Sequence, residues 1–474
     1  MLRFLQILWI FALHLVLYKL HPRLRDENLG ARIRLACERL GVVFKKFGQA
    51  LAGQCVLDGE DQAELEKLHD QSDPLSFETV RAIVECAFGK PLDTVFGRFN
   101  PAPLGSASMA QVHEAEYMGV PVAVKVIRPG VLDSLSADMR IVRALLFLGS
   151  LVSRGVRSVR AARIPDELGR MIHDEADLRI EAENTRLIRE QYQKELEDGA
   201  FTMAKILWES KTVLIQTLIK GVPLSRWMED HRKLGYHPEE ALRRFVSAVF
   251  GPPLRGRPHP RLKHILMHAD PNFGNLMLVK QPGGRCVIAI IDCGSIGRLR
   301  KSDIDVLFSI LVAVKENKPS VASDAVLNAC RYRFPTERRR AAFEMALCRY
   351  VDECHDKVFS YWFIELARIL RSHGIPAPQM FTLLARFVLL VDNIAQRYLP
   401  GVTTLELIGR EVAVGVAMRR TERFASEVAA LLEVLTPQTV QEAVVVAVRA
   451  VMPGFAQGIE RLLETAAPLW RQAA

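Results

Sequence analysis

The sequence predicts an α+β protein with a small sheet-bearing lobe and a larger helical lobe, on three observations. Strand-like runs are few and lie between residues 110 and 291, helical periodicity dominates beyond Arg300, and the two do not alternate regularly as they would around a parallel sheet. At 474 residues the chain has room for about two to three packed units. Apolar residues make up 49% and charged residues 25%, without low-complexity tracts, which is the composition of an ordered globular protein and not of a disordered one.

Taken in order, the first element is Phe4 to Tyr18, an apolar run broken only by Gln6 and His14. At about 1.5 Å per residue it falls short of the roughly 20 residues that span a bilayer. Arg3 before it and Lys19, Arg23 and Arg25 after it suit a helix lying in a membrane interface. No small-residue cleavage site follows, against a removed secretory signal. The alternative is an amphipathic helix packed on the protein's own core. Leu40, Val43, Phe44, Phe47 and Leu51 then recur at helical spacing, which predicts one helix from about Asn28 to Gly53 with Lys46 and Gln49 on its other face.

Pro91 to Pro103 reads as a Pro- and Gly-spotted connection. Ala110 to Tyr117 and Pro121 to Ile127 read as strands joined by the turn Met118-Gly119. Pro165 to Glu197 is helical and charged, and Lys211 to Leu218 is strand-like. Asn275 to Val279 and Cys286 to Ile291 flank Gln281-Pro282-Gly283-Gly284 and predict a hairpin. The helices beyond Arg300 break near Pro335, Pro376, Pro400-Gly401 and Pro453-Gly454.

The net charge of +9 is modest, and Arg is spread along the chain apart from Arg338 to Arg340. That argues against nucleic acid and equally suits anionic lipid or a phosphorylated ligand. Eight cysteines show no CxxC pair, so reduced thiols are expected; Cys354-His355 has no second ligand pair near it.

Chemistry concentrates in three stretches. Met267-His268-Ala269-Asp270-Pro271-Asn272-Phe273-Gly274-Asn275 is followed, seventeen residues after Asn275, by Asp292-Cys293-Gly294. Phosphoryl transfer needs one carboxylate near the nucleophile, and an Asn with a second carboxylate to hold magnesium against the phosphates. Asp270 and Asn275 have the five-residue separation of a kinase catalytic loop, and Asp292 ends an apolar strand with Gly294 allowing a sharp turn. Each piece alone is common; Val122-Ala123-Val124-Lys125, one lysine in an apolar strand, completes a kinase-like set in the right chain order. The acidic partner of that lysine lies in Asp174 to Asn184, where helical geometry alone does not choose among the carboxylates: on a continuous helix Asp177, Glu181 and Asn184 share a face and Glu175 lies elsewhere. Gly105-Ser106-Ala107-Ser108 stands where a kinase has its glycine-rich loop, with small side chains that let backbone N–H groups approach phosphate oxygens.

With these residues in view, the sequence resembles the UbiB family of atypical kinase-like proteins, associated with ubiquinone and other isoprenoid-quinone pathways. The matching features, in family order from about residue 28 to 300, are Lys46-Phe47-Gly48-Gln49, the loop ending in Gln111-Val112-His113, the strand through Lys125 and Arg128-Pro129-Gly130, Glu175 with Asp177, Glu181 with Asn184, His268-Ala269-Asp270 and Ile291-Asp292-Cys293-Gly294. The resemblance implies a two-lobed, mostly helical, atypical protein-kinase-like fold. Its parts would be a hydrophobic membrane-associating segment at 1–25, a helical extension at 26–100, an N-lobe at 101–220, a helical C-lobe at 221–400 and a C-terminal helical extension at 401–474.

It further implies ATP and Mg²⁺ as cofactors. Asp270, Lys125 and Glu181 would be catalytic, Gly105 to Ser108 with Lys125 nucleotide-binding, and Asn275 and Asp292 magnesium ligands. Lys46, Gln49, Glu175 and Asp177 would be regulatory, the helix of Lys46 and Gln49 folding over the site with Lys46 near Glu175 and Asp177. Such a cover obstructs a protein substrate, so the implied activity is ATP hydrolysis or transfer to a small molecule at the cytoplasmic face of a bacterial inner membrane. Its partners would be membrane lipids, isoprenoid-quinone precursors or quinone-biosynthesis proteins, without nucleic acid. A nucleotide-sensing scaffold and a lipid or metabolite kinase are the alternatives. The chain departs from the family pattern at Asn272-Phe273, at Gly105-Ser106 and at Thr217 in the hinge, and paired C-terminal transmembrane helices, which some bacterial members have, are not read from it.

Overall fold

A computed structural model describes residues 2–414 other than 22–23, 54–58, 67, 69–72, 131–134, 136, 145–146, 148–163, 225–238, 269–272, 282, 355–356, 358, 376–378, 400, 405, 409–411 and 413. Residues 1–409 form one compact unit; the second, Arg410–Ala474, lies almost wholly outside the described residues, and with it the expected C-terminal extension.

The N-terminal extension contains α1 (Leu2–Phe11), α2 (Leu29–Leu40), α3 (Val42–Gly53) and α4 (Gly59–Glu66). Asn28 caps α2, its side-chain oxygen accepting the Ala31 N–H at 2.8 Å. The single helix expected from Asn28 to Gly53 is two, because Gly41 takes φ 94°, a conformation nearly closed to other residues. Gly30 lets α2 meet α4: a Cβ there would lie 2.0 Å from the Asp61 carbonyl oxygen, and the Asp61 carboxylate accepts the Gly30 N–H at 2.8 Å. Ala36, Cys37, Leu40, Phe44, Phe47 and Leu65 build the extension's core.

Ile7 and Ile10 of α1 belong to that same core, and Phe11 sits 5.9 Å from Phe44 between ring centroids. The first helix is therefore packed on the protein through one face, the alternative that the sequence left open. Its other face exposes Phe4 (42%), Leu5 (53%) and Trp9 (61%). No helix of the described residues is long and apolar enough to cross a membrane.

Within the stretch expected as extension up to residue 100, α5 (Phe77–Phe88) and α6 (Leu92–Val95) pack on the sheet lobe, and β1 (Phe96–Ser106), β2 (Ala110–Tyr117) and β3 (Val120–Ile127) follow. The expected connection from Pro91 to Pro103 is thus a helical turn and most of a strand. Pro91 caps α6, and Pro101 and Pro103 are absorbed by register shifts against β2, while Phe96 and Phe99 pack at 5.2 Å. Met118 and Gly119, both with positive φ, make the tight turn into β3. After α7 (Ile164–Glu175) and α8 (Leu178–Gln191) come β4 (Thr202–Met203), β5 (Ile206–Glu209), β6 (Val213–Thr217) and β7 (Val222–Pro223). Among the described residues β1, β2, β3, β6 and β5 form one antiparallel sheet in that order.

The second lobe has α9 (Glu239–Leu254), β8 (Ile265–His268), β9 (Leu276–Lys280), β10 (Cys286–Ile290) and β11 (Ile296–Leu299). Helices Lys301–Lys315, Pro319–Cys330, Glu337–Cys354, Phe359–Ser372 and Gln379–Tyr398 follow, as the periodicity predicts. Strands β4, β10, β9 and β7 form one small sheet, and β8 pairs with β11. The overall class is the α+β, mostly helical arrangement read from the sequence.

Deleting residues 1–25 removes Ile7 and Ile10 from a shared core, each worth about 1.5–3 kcal/mol of burial. The truncated chain should therefore unfold at lower urea concentration than the full chain. An unchanged midpoint would mean that α1 contributes nothing to the extension.

Candidate functional site

Strand alternation places Lys125. Val122, Val124 and Val126 point into the core between the sheet and α5, so Lys125 stands on the opposite face. On that face Leu178 and Ala182 of α8 pack with Ala110, Ile127 and Leu214. Helix α8 does not continue the preceding helix, as a continuous reading of 174–184 supposes. Asp177 interrupts it as the N-cap, its carboxylate accepting from the Arg179 N–H at 3.1 Å and from the Arg179 guanidinium at 2.9 and 2.6 Å. Glu181, one turn into the helix and 6% exposed, then faces the sheet.

Lys125 Nζ donates to both carboxylate oxygens of Glu181, at 2.9 and 2.7 Å, and to Asp292 Oδ2 at 2.8 Å. The structure thus brings together three of the predicted residues from strand β3, helix α8 and the end of β10. Asp292 Oδ1 accepts the Gly294 N–H at 2.7 Å. The backbone around it is held from three sides. His268 Nε2 donates to the Asp292 carbonyl at 2.6 Å, Asn184 Nδ2 to the Gly294 carbonyl at 3.3 Å and Gln216 Nε2 to the Ile291 carbonyl at 3.2 Å. These three polar side chains were not among the predicted site residues. A polar residue inside an apolar strand, as at His268 and Gln216, is the signal that marks such supports.

Asn275 closes a short helical turn, Phe273–Asn275, directly before β9. Ile290 pairs with Leu276 across the hairpin, and the Ile291 N–H donates to the Asn275 carbonyl at 3.1 Å. The seventeen-residue separation of Asn275 and Asp292 is therefore a hairpin that returns one residue to the other. Asp270 lies outside the described residues. His268 pairs with Ile296 between β8 and β11, so the end of β8 and the segment leaving Gly294 share one end of that ladder. Phe273, one of the departures from the family pattern, packs edge-on to Tyr398 at 5.9 Å, and the Tyr398 hydroxyl donates to the Leu224 carbonyl at 2.8 Å.

Gly105 and Ser106 end β1, paired with Val112 and Gln111, and Ala107 and Ser108 make the reversal into β2, closed by the Ala107 N–H on the Ala110 carbonyl at 2.8 Å. Gly105 has open space where a Cβ would stand. In the extension, Lys46 pairs with Glu175 at 2.9 Å, while Asp177 is taken by Arg179. Gln49 donates to the Leu68 carbonyl at 3.1 Å, within the extension itself. Gly48 between them leaves the space that the Leu68 side chain enters, a Cβ there falling 2.3 Å from its Cδ1.

Electrostatics follow from one cation between two carboxylates. Burial works against the Lys125 ammonium, yet Asp292 and Glu181 outweigh it and hold its pKa above the ordinary lysine value. Burial, joined by the Asp292 charge, pushes Glu181 up to about 7 against the pull of Lys125. Burial also opposes the Asp292 anion, but Lys125 and the Gly294 N–H more than offset it and keep Asp292 at about 2. Asp292 is ionised at neutral pH and, with the Asn275 side chain, offers the hard oxygen donors that suit magnesium.

Glu181 gives a pH signature. Its ordinary carboxyl value is 4.5 and its folded value about 7, so between these limits the folded state holds more protons than the unfolded one. Its contribution to stability is full below about pH 4.5 and is lost as pH rises through about 7. Glu181→Gln cannot titrate, so the stability of wild type minus that of the variant, measured in urea, should fall across this window and level off above it. A difference that rises or stays constant with pH would contradict the buried carboxyl.

Comparison with known proteins comes to the same place. Residues 67–325 match the sequence profile of the ABC1 atypical kinase-like domain. The Probable protein kinase UbiB of Marinobacter nauticus is 30% identical over 387 residues, covering 78% of this chain and 67% of that protein. The Pseudomonas putida protein of the same name is 30% identical over 414 residues, covering 83% and 72%. Among solved structures, Rv3197 of Mycobacterium tuberculosis, in complex with erythromycin, aligns at 24% identity and TM-score 0.43 over 75% of this chain and 91% of that one. The Rio2 kinase of Chaetomium thermophilum, with ADP, Mg²⁺ and phosphoaspartate, aligns at 12% identity and TM-score 0.26 over 75% and 97%. The resemblance read from the motifs is borne out, and the fold is kinase-like: this chain belongs to the ABC1 atypical kinase-like family.

Proposed function

We propose that this chain is a membrane-associated, kinase-like enzyme that uses ATP and Mg²⁺ to support isoprenoid-quinone synthesis, ubiquinone being the quinone named by the family resemblance. The observation that carries this reading is the placement of Lys125 between Glu181 and Asp292, with the Asn275 turn returned beside Asp292 by a hairpin. In this reading Lys125, oriented by Glu181, pairs with nucleotide phosphates, and the backbone of Gly105 to Ser108 lies over them. Asp292 and Asn275 would hold magnesium, which when bound neutralises phosphate charge. Asp270 would orient the attacking water or acceptor and take its proton.

The outer face of α1 supports the membrane part, since Phe4, Leu5 and Trp9 are exposed together and Lys19, also exposed, follows them. The reading puts the protein at the cytoplasmic face of a bacterial inner membrane, with lipids, quinone precursors or quinone-synthesis proteins as partners. Lys46 on Glu175 ties the extension to the helix before α8, so Lys46, Gln49, Glu175 and Asp177 would govern access to the site. An extension so placed favours a small or lipidic acceptor over a protein.

Two variants separate metal binding from chemistry. Asp292→Asn removes a charged oxygen ligand, so it should weaken magnesium-nucleotide binding more than metal-free binding in a thermal-shift titration. Equal loss with and without magnesium would sink the metal role. Asp270→Asn should lower ATP turnover by at least about tenfold, or about 1.4 kcal/mol of barrier, while magnesium-ATP affinity changes little. Turnover is to be measured on the full chain with anionic vesicles carrying an isoprenoid phenol. Equal turnover in wild type and variant would leave a nucleotide-sensing scaffold in place of a catalyst.

A further inference from the structure

The loop assigned to the nucleotide is fastened to the N-terminal extension by Met109, and to the segment that leaves the extension by Arg128 and Gln111. Met109, directly after Ser108, is only 5% exposed and belongs to the apolar core that holds Phe44, Phe47 and Leu68 of the extension. The loop thus contributes a side chain to a core made chiefly by other elements. Arg128, at the end of β3, supplies the second contact. Its guanidinium donates to the Ala107 carbonyl at 2.8 Å and the Ser106 hydroxyl at 2.6 Å inside the loop, and to the Asp73 carbonyl at 2.6 Å in the segment leaving the extension.

Gln111 is the third. It is fully buried, and its Oε1 accepts the Leu75 N–H at 2.6 Å and the Ser106 hydroxyl at 3.4 Å. Its Nε2 donates to His113 Nε2 at 2.9 Å, which requires the proton of His113 on Nδ1, where it is donated to the Asn100 carbonyl at 2.8 Å. A side-chain amide with its oxygen and nitrogen both engaged fixes one geometry, because any other leaves a buried polar atom without a partner. The junction is not packed solid. A half-open groove of about 310 Å³ lined by Leu40, Val43, Leu75, Ser108, Arg128 and Asp138 runs along it.

Kinase phosphate loops commonly act as flaps that close over the nucleotide. Here the flap is bolted at its far side. We propose that the N-terminal extension is the seat of the phosphate loop, and that Met109 and Arg128 are positioning residues that hold the Gly105 to Ser108 backbone in its phosphate-facing conformation. This rests on the nucleotide-binding reading above. Anything that ties the loop to the extension and to the phosphates together makes the two events thermodynamically linked: docking of the extension raises affinity for phosphates, and phosphates favour docking.

The test compares ADP with adenosine, which lacks the phosphates, by calorimetry on the full chain with magnesium. Met109→Ala and Arg128→Gln should each lower ADP affinity by about tenfold relative to adenosine, while Met109→Leu, which refills the core, restores the wild-type ratio. Retained adenosine binding shows that the variants are folded. An unchanged ratio in both variants, or equal loss of both ligands, overturns the inference. Loss confined to Arg128→Gln overturns the seat and assigns the guanidinium to the phosphates directly. A wild-type chain that binds no ADP overturns the nucleotide reading and this inference with it; wild-type binding with unchanged ratios overturns this inference alone.

Discussion

Lys125 places one positive charge between two carboxylates in a cleft where Glu181 is almost fully buried, and the surrounding architecture serves that contact. A buried ion pair adds little net stability over a well-packed apolar substitute, yet losing one member strands a charge at about 3–5 kcal/mol. The three groups therefore act as a constraint on geometry more than as a source of stability. Strand β3 must run with its valines inward, α8 must start at Asp177, and β10 must end just before Asp292. The polar supports on the Asp292 backbone then fix the one member that has no regular element of its own.

The residues of this constraint were legible because each belongs to a local pattern. A lysine among valines, an Asp before Cys-Gly at the end of an apolar strand and an Asp and Asn five apart are all readable in a line of letters. What joins them was not. The carboxylate partner of Lys125 was left among several candidates by helical spacing, and the resemblance to a family chose Glu181, which is where the geometry places the bond. Spacing could not choose because every carboxylate of a continuous helix counts as a candidate, while Asp177 caps a new helix and is engaged by Arg179.

The same limit explains the errors of the fold. A periodic run from Asn28 to Gly53 keeps its apolar rhythm across Gly41, so only the backbone angle reveals the break. Pro101 and Pro103 signal irregularity, but register shifts let them remain within β1. Met109 in the extension's core is a contact between segments distant in sequence, for which local periodicity carries no information. The long helices beyond Arg300 were the easiest to read, since their periodicity is sustained over several turns.

The β9–β10 hairpin has a consequence for how such sites are found. Asn275 and Asp292 stand at the same end of the hairpin because Leu276 pairs with Ile290, and the pairing continues unshifted to Lys280 and Cys286. The turn beyond, where Gly283 and Gly284 take positive φ and the Gln281 N–H donates to the Arg285 carbonyl, stands at the opposite end of the ladder from the site. Extra residues placed there lengthen the count between Asn275 and Asp292 without moving either side chain. The interval of seventeen is thus an accident of turn length, and a search keyed to it would pass over chains that carry the same pair on a taller hairpin, just as the turn itself offers a place to graft a fluorophore or an affinity tag.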